Sequence, residues 1–288
     1  MKVVVTGSSG FIGTRLMTAL DTVDTNSDSV SVRGSLSLPE GDVLVHLAAI
    51  AHSSSDDRSH VFQINRDLAM DVATRARKQG YRQFIFLSSA MVWGSKNEMV
   101  SLAVPEQPDT FYGLAKLAAE KDIASLGSAD FTVSIVRPPL VYGPGVKGNL
   151  NKLLTAMRKW PVCPLGTSRN KRSMLHVDNL CAFIMHLIKE RSEHSETLSG
   201  VFCPVDEPAI SSLEILQNMG KFMAKHALLV EPPVAFQRFV EMTSPVHAKK
   251  LFGSFVIDGS SARATGFASP FSMEDGFRKM VQEFLSSN

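Results

Sequence analysis

The chain has 288 residues, 44% hydrophobic and 20% charged, and 30 Lys+Arg against 28 Asp+Glu leave a net charge of +2. At ~150 residues per domain this is roughly two domains, enough to bury a core without disulfides or a structural metal, and the balanced charge gives no footprint for nucleic acid. The most apolar stretch, Val43 to Ala51, includes His46 and is too short to span a membrane, while Cys163, Cys181 and Cys203 are far apart without a C-x-x-C, as in a reduced cytoplasmic protein.

Val3–Thr6 reads as the first strand, entered directly from Lys2 with no room for the apolar region of a signal peptide. Val30–Val32, Val43–His46, Phe84–Leu87 and Phe131–Val136 read as further strands. All are nearly continuous in apolar residues, as expected of a parallel sheet covered on both faces. Helices are predicted over Phe11–Leu20, about 60–79 closed by Gly80, and about 109–126 closed by Gly127. This strand–helix alternation predicts an α/β fold with a Rossmann-type, doubly wound parallel sheet.

The pattern changes after Tyr142. Gly143-Pro144-Gly145 is a loop, followed by a helix over 149–159 and a strand over Arg172–Val177. A helix capped by Asp178 then runs to about Lys189, and Ser211-x-x-Glu214 is a capping box for a helix ending near His226. A last amphipathic helix starts at about Ser272. The expected division is a dinucleotide-binding domain, 1–142 plus about 172–203, and a smaller α/β substrate domain, about 143–171 plus 204–288.

Gly7-Ser8-Ser9-Gly10-Phe11-Ile12-Gly13 follows the first strand and opens the first helix. Gly7 suits a tight turn, Gly10 a close approach of backbone to a pyrophosphate, and Gly13 close helix–strand packing. The helix N-terminus adds free N–H groups and positive dipole charge. A Gly-Ser turn of an arbitrary α/β protein has the same composition; the position between strand and helix favours dinucleotide binding.

Tyr112 and Lys116 stand four residues apart on a predicted helix, so both project from one face. An ammonium ~4 Å from the phenol would lower its pKa by up to ~3 units, toward the range useful for proton transfer. Such a pair also arises by chance. Here it lies 23 residues beyond Ser88-Ser89, at the carboxyl end of the Phe84–Leu87 strand, where an open sheet binds its ligand. A hydroxyl there can hydrogen-bond the substrate oxygen that Tyr112 protonates.

Together these motifs resemble the extended short-chain dehydrogenases/reductases, and within them the NAD-dependent epimerase/dehydratase family of nucleotide-sugar enzymes. His46-Leu-Ala-Ala49, Ser88-Ser-Ala-Met-Val-Trp-Gly94, Arg137-Pro-Pro-Leu-Val-Tyr-Gly-Pro-Gly145 and Arg172-Ser-Met-Leu-His-Val-Asp-Asn179 extend the match to nearly the whole chain. The subset it most resembles reduces a 4-keto-6-deoxy UDP-N-acetylhexosamine and is close to the UDP-glucose 4-epimerases. The resemblance implies Ser89, Tyr112 and Lys116 as the catalytic set. It implies a cofactor site of Gly7, Ser9, Gly10, Phe11, Ile12, Gly13, Arg33, Leu47, Ala48, Ala49, Leu87, Ser88, Tyr112, Lys116 and Pro138. On the substrate side it implies Ser89, Ala90, Met91, Asn149, Leu150 and a diphosphate-binding Arg172. The second diphosphate-binding arginine has no clear match, leaving Lys249 or Lys250 for that role. The plain reading of Arg169-Asn-Lys-Arg172 is a solvated basic loop.

Three departures refine the expectation. Ala90 and Met91 replace the Asp-Glu pair of the family's dehydratases, which disfavours loss of water. Val30-Ser-Val-Arg33 ends in arginine where NAD-binding folds carry an acid for the ribose 2′-OH, favouring NADP over NAD, and the short segment that follows suggests a reduced adenine side. Leu140 stands where epimerases often have Asn. The expected reaction is hydride transfer at C4 of a UDP-hexose or UDP-N-acetylhexosamine, leaning to 4-keto-sugar reduction over 4-epimerisation. A non-catalytic NADP(H)-sensing regulator is the alternative of another class, disfavoured by the intact Ser89/Tyr112/Lys116 set. Histidines 46, 52, 60 and 176 lack ligand spacing, so no metal is expected. Met219, Phe222 and Met223 read as core, and Phe236 and Phe239 as either lid or packing. The expected partners are a UDP-sugar and a second copy of the chain, with neither nucleic acid nor membrane.

Overall fold

Four consecutive apolar or β-branched residues, buried on both faces, seed the sheet. The computed structural model describes residues 1–32, 37–50, 58–160, 162–163, 169–190, 198–223, 228–230, 233, 235, 238, 242–243 and 252–287. In it β1 (Val3–Thr6) lies between β2 (Ser27–Val30) and β3 (Val43–His46), parallel to both. Val3 and Val5 enter the core beneath α1 (Phe11–Thr22), while Val4 enters the core on the other face, the alternation that a doubly covered strand requires.

From β3 the chain passes through α2 (Arg58–Phe62), a π turn (Gln63–Asp67) and α3 (Leu68–Lys78) to β4 (Gln83–Leu87). A 3-10 turn (Ala90–Trp93), β5 (Met99–Val100) and α4 (Phe111–Ala124) lead to β6 (Thr132–Val136). Then come β7 (Leu140–Tyr142), α5 (Asn149–Lys159), β8 (Val162–Cys163), β9 (Arg172–His176), α6 (Val177–Glu190) and β10 (Gly200–Phe202). The last elements are β11 (Asp206–Ile210), α7 (Ser212–Lys221), β12 (Leu228–Leu229), β13 (Val256–Ile257), α8 (Ser260–Arg263) and α9 (Met273–Ser286).

The main sheet is parallel with the order β10-β6-β4-β3-β1-β2. Counting its strands along the chain gives 2-1-3-4-5-6. Among the described residues no strand lies outside β2, where a 3-2-1-4-5-6 order would place one. Among the described residues the sheet therefore ends one strand short of that order beyond β2, as the brief segment after Val30 suggests. Leu16 and Leu20 of α1 pack with Phe183, Ile184 and Leu187 of α6 on one face; Ala73 of α3 and Ile123 of α4 pack on the other. A third cluster joins Leu154 and Met157 of α5 to Met219 of α7, the adjoining Met223, and Phe277 and Met280 of α9, so these methionines are core residues.

Several boundaries move for local reasons. Asp24 turns the chain at φ 52° and Val3 donates to the Asn26 carbonyl, so the ladder starts at Ser27 and Val32 lies beyond the strand. Gly80 closes α3 at φ 82°, but Gly127 is absent from the left-handed positions and does not cap α4 that way. Thr110, accepting from Gly113 N–H, caps α4 at its start. Asp178 is not the N-cap of α6; it lies in the first turn and bonds to Arg15 of α1 at 2.6 Å. β9 pairs with β7 and β11 in a separate small sheet, so within 172–203 it is β10 that enters the main sheet.

Candidate active site

The turn after β1 is built to bring backbone, not side chains, to a ligand. Gly7 has φ 72°, and a Cβ there would come within 2.6 Å of the Ala48 nitrogen. Leu47 N–H donates to the Thr6 carbonyl at 3.1 Å, which holds 47–48 against this turn, while Ala49 is exposed. A Cβ on Gly13 would meet the Gly7 carbonyl oxygen at 2.2 Å, so α1 can pack on the turn because residue 13 lacks a side chain. Gly10 differs. Its φ of −77° suits any residue, and a Cβ would meet only the Gly7 oxygen, at 3.2 Å. No side chain caps α1, and its first turn has no acid. The exposed Ser9 and Gly10 and the half-buried Phe11 and Ile12 thus border a cradle with open space and a positive helix end. These features fit a dinucleotide diphosphate.

The carboxyl ends of β4 and β6 carry the second half of the site. Ser88 N–H donates to the Val136 carbonyl at 2.7 Å, and its hydroxyl donates to Glu120 of α4. Ala90 N–H donates to the Pro138 carbonyl at 3.0 Å. Ser89 caps the 3-10 turn, accepting from Met91 N–H at 3.2 Å, and hydrogen-bonds Tyr112. Of the two residues in the dehydratase-pair positions, Ala90 is buried and Met91 exposed.

Tyr112 and Lys116 do share one face, but the ammonium does not sit on the phenol. Lys116 Nζ donates to the Leu87 carbonyl at 2.8 Å and lies 4.4 Å from the Phe86 ring centroid, against 5.9 Å from that of Tyr112. Burial raises the Tyr112 pKa to about 12, with the Ser89 hydrogen bond opposing. The expected lowering by Lys116 is therefore absent in the free protein: desolvation outweighs a cation at this distance. Lys116 is itself pulled down to about 7 by burial, opposed by Glu120. His46, whose Nδ1 pairs with Thr6 Oγ1 at 2.9 Å, is held near 3 by burial and then by Lys116, so it stays neutral.

Two residues outside the expected set shape the site. A Cβ on Gly113 would lie 2.5 Å from the Met91 carbonyl oxygen, so α4 reaches the Ser89 turn only because Gly follows Tyr112. Gly113→Ala is expected to lower kcat by about 10-fold or more by moving Tyr112 off Ser89, with dinucleotide affinity in a calorimetric titration unchanged. The buried Asn65, inside the π turn, exchanges hydrogen bonds with both backbone groups of Ile50, each at 3.1 Å, and so anchors the segment after β3. The sequence signal for Gly113 is its place between Tyr112 and Lys116; Asn65 has none, because helical periodicity does not reveal a π turn.

On the substrate side, Asn149 is exposed at the start of α5, whereas the Leu150 side chain lies in the core, leaving only its backbone for a ligand. Leu140 is exposed on β7. The 169–172 segment is not a simple solvated loop: Asn170 is buried, accepting from Ser212 N–H at 2.8 Å, and Lys171 pairs with Glu214 at 3.0 Å. Arg172 is half-buried, and burial lowers its pKa. Arg33, His52, Phe236, Phe239, Lys249 and Lys250 lie outside the described residues. Among the described residues no group of three potential ligands could hold a metal, and no helix is long and apolar enough to cross a membrane.

A doubly wound parallel sheet, a glycine cradle at the first helix and a Ser/Tyr/Lys set at the carboxyl ends of its strands define an extended short-chain dehydrogenase/reductase. Residues 22–199 match the NAD dependent epimerase/dehydratase family, and the chain belongs to it. It is 27% identical to the UDP-glucose 4-epimerase of Vibrio cholerae, across 100% of this chain and 96% of that protein. It is 24% identical to the N-acetyl-α-D-glucosaminyl-diphospho-ditrans,octacis-undecaprenol 4-epimerase of Escherichia coli O157:H7, across 99% and 96%. The fold is shared with the solved structure of MoeE5 in complex with UDP-glucose and NAD, at a TM-score of 0.79 and 22% identity over 100% of this chain and 99% of that one.

Proposed function

We propose that the protein is a 4-epimerase of a UDP-hexose or UDP-N-acetylhexosamine. The observation that carries this is the meeting of Ser89 with Tyr112 at the mouth of the sheet, beside Lys116. End-to-end likeness to two 4-epimerases supports inversion over the reduction that the sequence favoured. A nicotinamide dinucleotide held by the glycine cradle of residues 7–13 would supply the hydride chemistry at C4. Ser89 would hold O4 of the sugar, and Tyr112 Oη would take the O4 proton on oxidation and give it back after the keto sugar has turned. At neutral pH a phenol with a pKa near 12 carries its proton, and Lys116 at 5.9 Å from the ring does not lower it in the free protein, so abstraction needs a charged Lys116 brought closer to the phenol when the ligands bind. With Ala90 and Met91 beside Ser89, the site has no acid–base pair there for eliminating water.

In this reading Arg172 and Asn149 face the diphosphate and uridine, and residues 143–171 with 204–288 form the substrate side. A second reading, 4-keto-sugar reduction by exchangeable NADPH, is supported by Arg33 in the sequence after β2 and by the edge position of β2, which leaves less protein to retain an adenosine. Denaturing the purified protein and identifying the released nucleotide separates them. Stoichiometric NAD with interconversion of UDP-glucose or UDP-N-acetylglucosamine and their C4 epimers is the expected result. Cofactor-free protein that oxidises NADPH only when given a UDP-4-keto sugar would replace this reading with the second.

A further inference from the structure

Tyr112, Lys116 and Glu120 stand at four-residue intervals on α4, so a third ionisable group follows the expected pair along one face. Glu120 is 3% exposed and is held from two sides. Ser88 Oγ donates to its Oε1. Arg137, also 3% exposed, donates from Nε to Oε1 at 3.0 Å and from Nη2 to Oε2 at 2.6 Å. Arg137 is fixed in turn by Glu106, which accepts from Nη2 at 2.7 Å, and by the Trp93 ring, 4.8 Å from its guanidinium carbon to the centroid. The two residues before Ser89 are therefore both tied to α4: Leu87 through its carbonyl to Lys116, and Ser88 through its hydroxyl to Glu120.

We infer that Glu120, braced by Arg137, is a positioning residue that fixes Ser88, and through it Ser89, against Tyr112, and is the carboxylate set one turn beyond Lys116 on the same helix face. The inference rests on the roles given above to Ser89, Tyr112 and Lys116. Buried ion pairs are weak evidence for stability, since apolar residues of similar volume often serve as well. Glu120 therefore matters through the two groups it touches or faces on the reactive side. Lys116 is faced by neutral His46 from β3, by the Phe86 ring and Leu87 carbonyl from β4, and by Tyr112 and Glu120 on its own helix. Arg137 pairs with Glu120, and Glu106 pairs with Arg137. Among the described residues Glu120 is the carboxylate that raises its proton affinity.

Four variants and a titration test this. Glu120→Gln is expected to lower Tm, because Arg137 loses the more buried of its two carboxylate partners, and to lower kcat about 10-fold or more. Glu120→Gln/Arg137→Met removes both buried charges. Its Tm should recover, while kcat stays down with KM for the sugar nucleotide nearly unchanged. In both, the Lys116 pKa, read by NMR from protein carrying ¹³C at the lysine ε position, should fall below its wild-type value. Ser88→Ala, which keeps every charge, should lower kcat with little loss of Tm, and Ser88→Thr should restore it. Recovery of kcat together with Tm in the double variant, or a Lys116 titration unmoved by Glu120→Gln, would overturn the inference. A wild-type protein inactive on every UDP-sugar overturns the proposed function instead, and the lysine titration then decides this inference alone.

Discussion

Tyr112→Phe is expected to lower kcat by ~10²–10⁴-fold, the usual contribution of a general acid–base group, with little change in dinucleotide affinity. The hydroxyl is the group that Ser89 hydrogen-bonds, while the ring and the α4 backbone stay in place without it. Fold and cofactor cradle therefore survive the substitution. Lys116→Met behaves differently. It deletes the hydrogen bond to the Leu87 carbonyl and the buried charge beside the phenol, so kcat and dinucleotide affinity should fall together. Steady-state kinetics with a UDP-hexose and calorimetric titration of the dinucleotide separate the two variants. Wild-type turnover by Tyr112→Phe would reduce Tyr112 to a packing residue beside a chance lysine.

The pH dependence follows from the same two groups. Lys116 titrates near 7 because burial opposes its charge, so the ammonium needed beside Tyr112 is lost as pH rises through that value. The sequence showed that Tyr112 and Lys116 share a face, and i, i+4 spacing guarantees that much. It could not show where the ammonium points. A lysine stem reaches several acceptors, and here the Leu87 carbonyl and the Phe86 ring take it. The general lesson is one of range. Gly7, Gly10 and Gly13 were readable because a local turn fixes their neighbours, and Tyr112 and Lys116 because a helix does. Glu120 and Arg137 meet across 17 residues, and Asn65 holds Ile50 across 15, and no local period encodes such contacts. The same limit explains β9. A strand of the right length was legible at Arg172–His176, but its partners, β7 and β11, are set by tertiary packing.

Gly10→Val is expected to abolish measurable dinucleotide binding while leaving the fold intact, and Gly13→Ala to show the opposite balance. Residue 10 adopts φ −77° and ψ 171°, open to valine, and its Cβ would meet only the Gly7 carbonyl oxygen at 3.2 Å. A shift of a few tenths of an ångström absorbs that contact, so Tm should stay close to the wild-type value. The two γ-methyls then occupy the space in front of the α1 N-terminus, where backbone N–H groups and the positive helix end would otherwise face a diphosphate. At residue 13 the clash is internal. A Cβ would stand 2.2 Å from the Gly7 oxygen and 2.7 Å from the Ser8 Cα, forcing α1 off the turn. Overpacking of this kind costs ~1–3 kcal/mol, so Gly13→Ala should unfold at clearly lower temperature before its binding is considered. Thermal denaturation beside calorimetric titration of NAD and NADP reads both quantities for each variant. If Gly10→Val binds either dinucleotide as the wild type does, the diphosphate does not lie on this turn, and the cofactor site must be sought elsewhere along the carboxyl edge of the sheet.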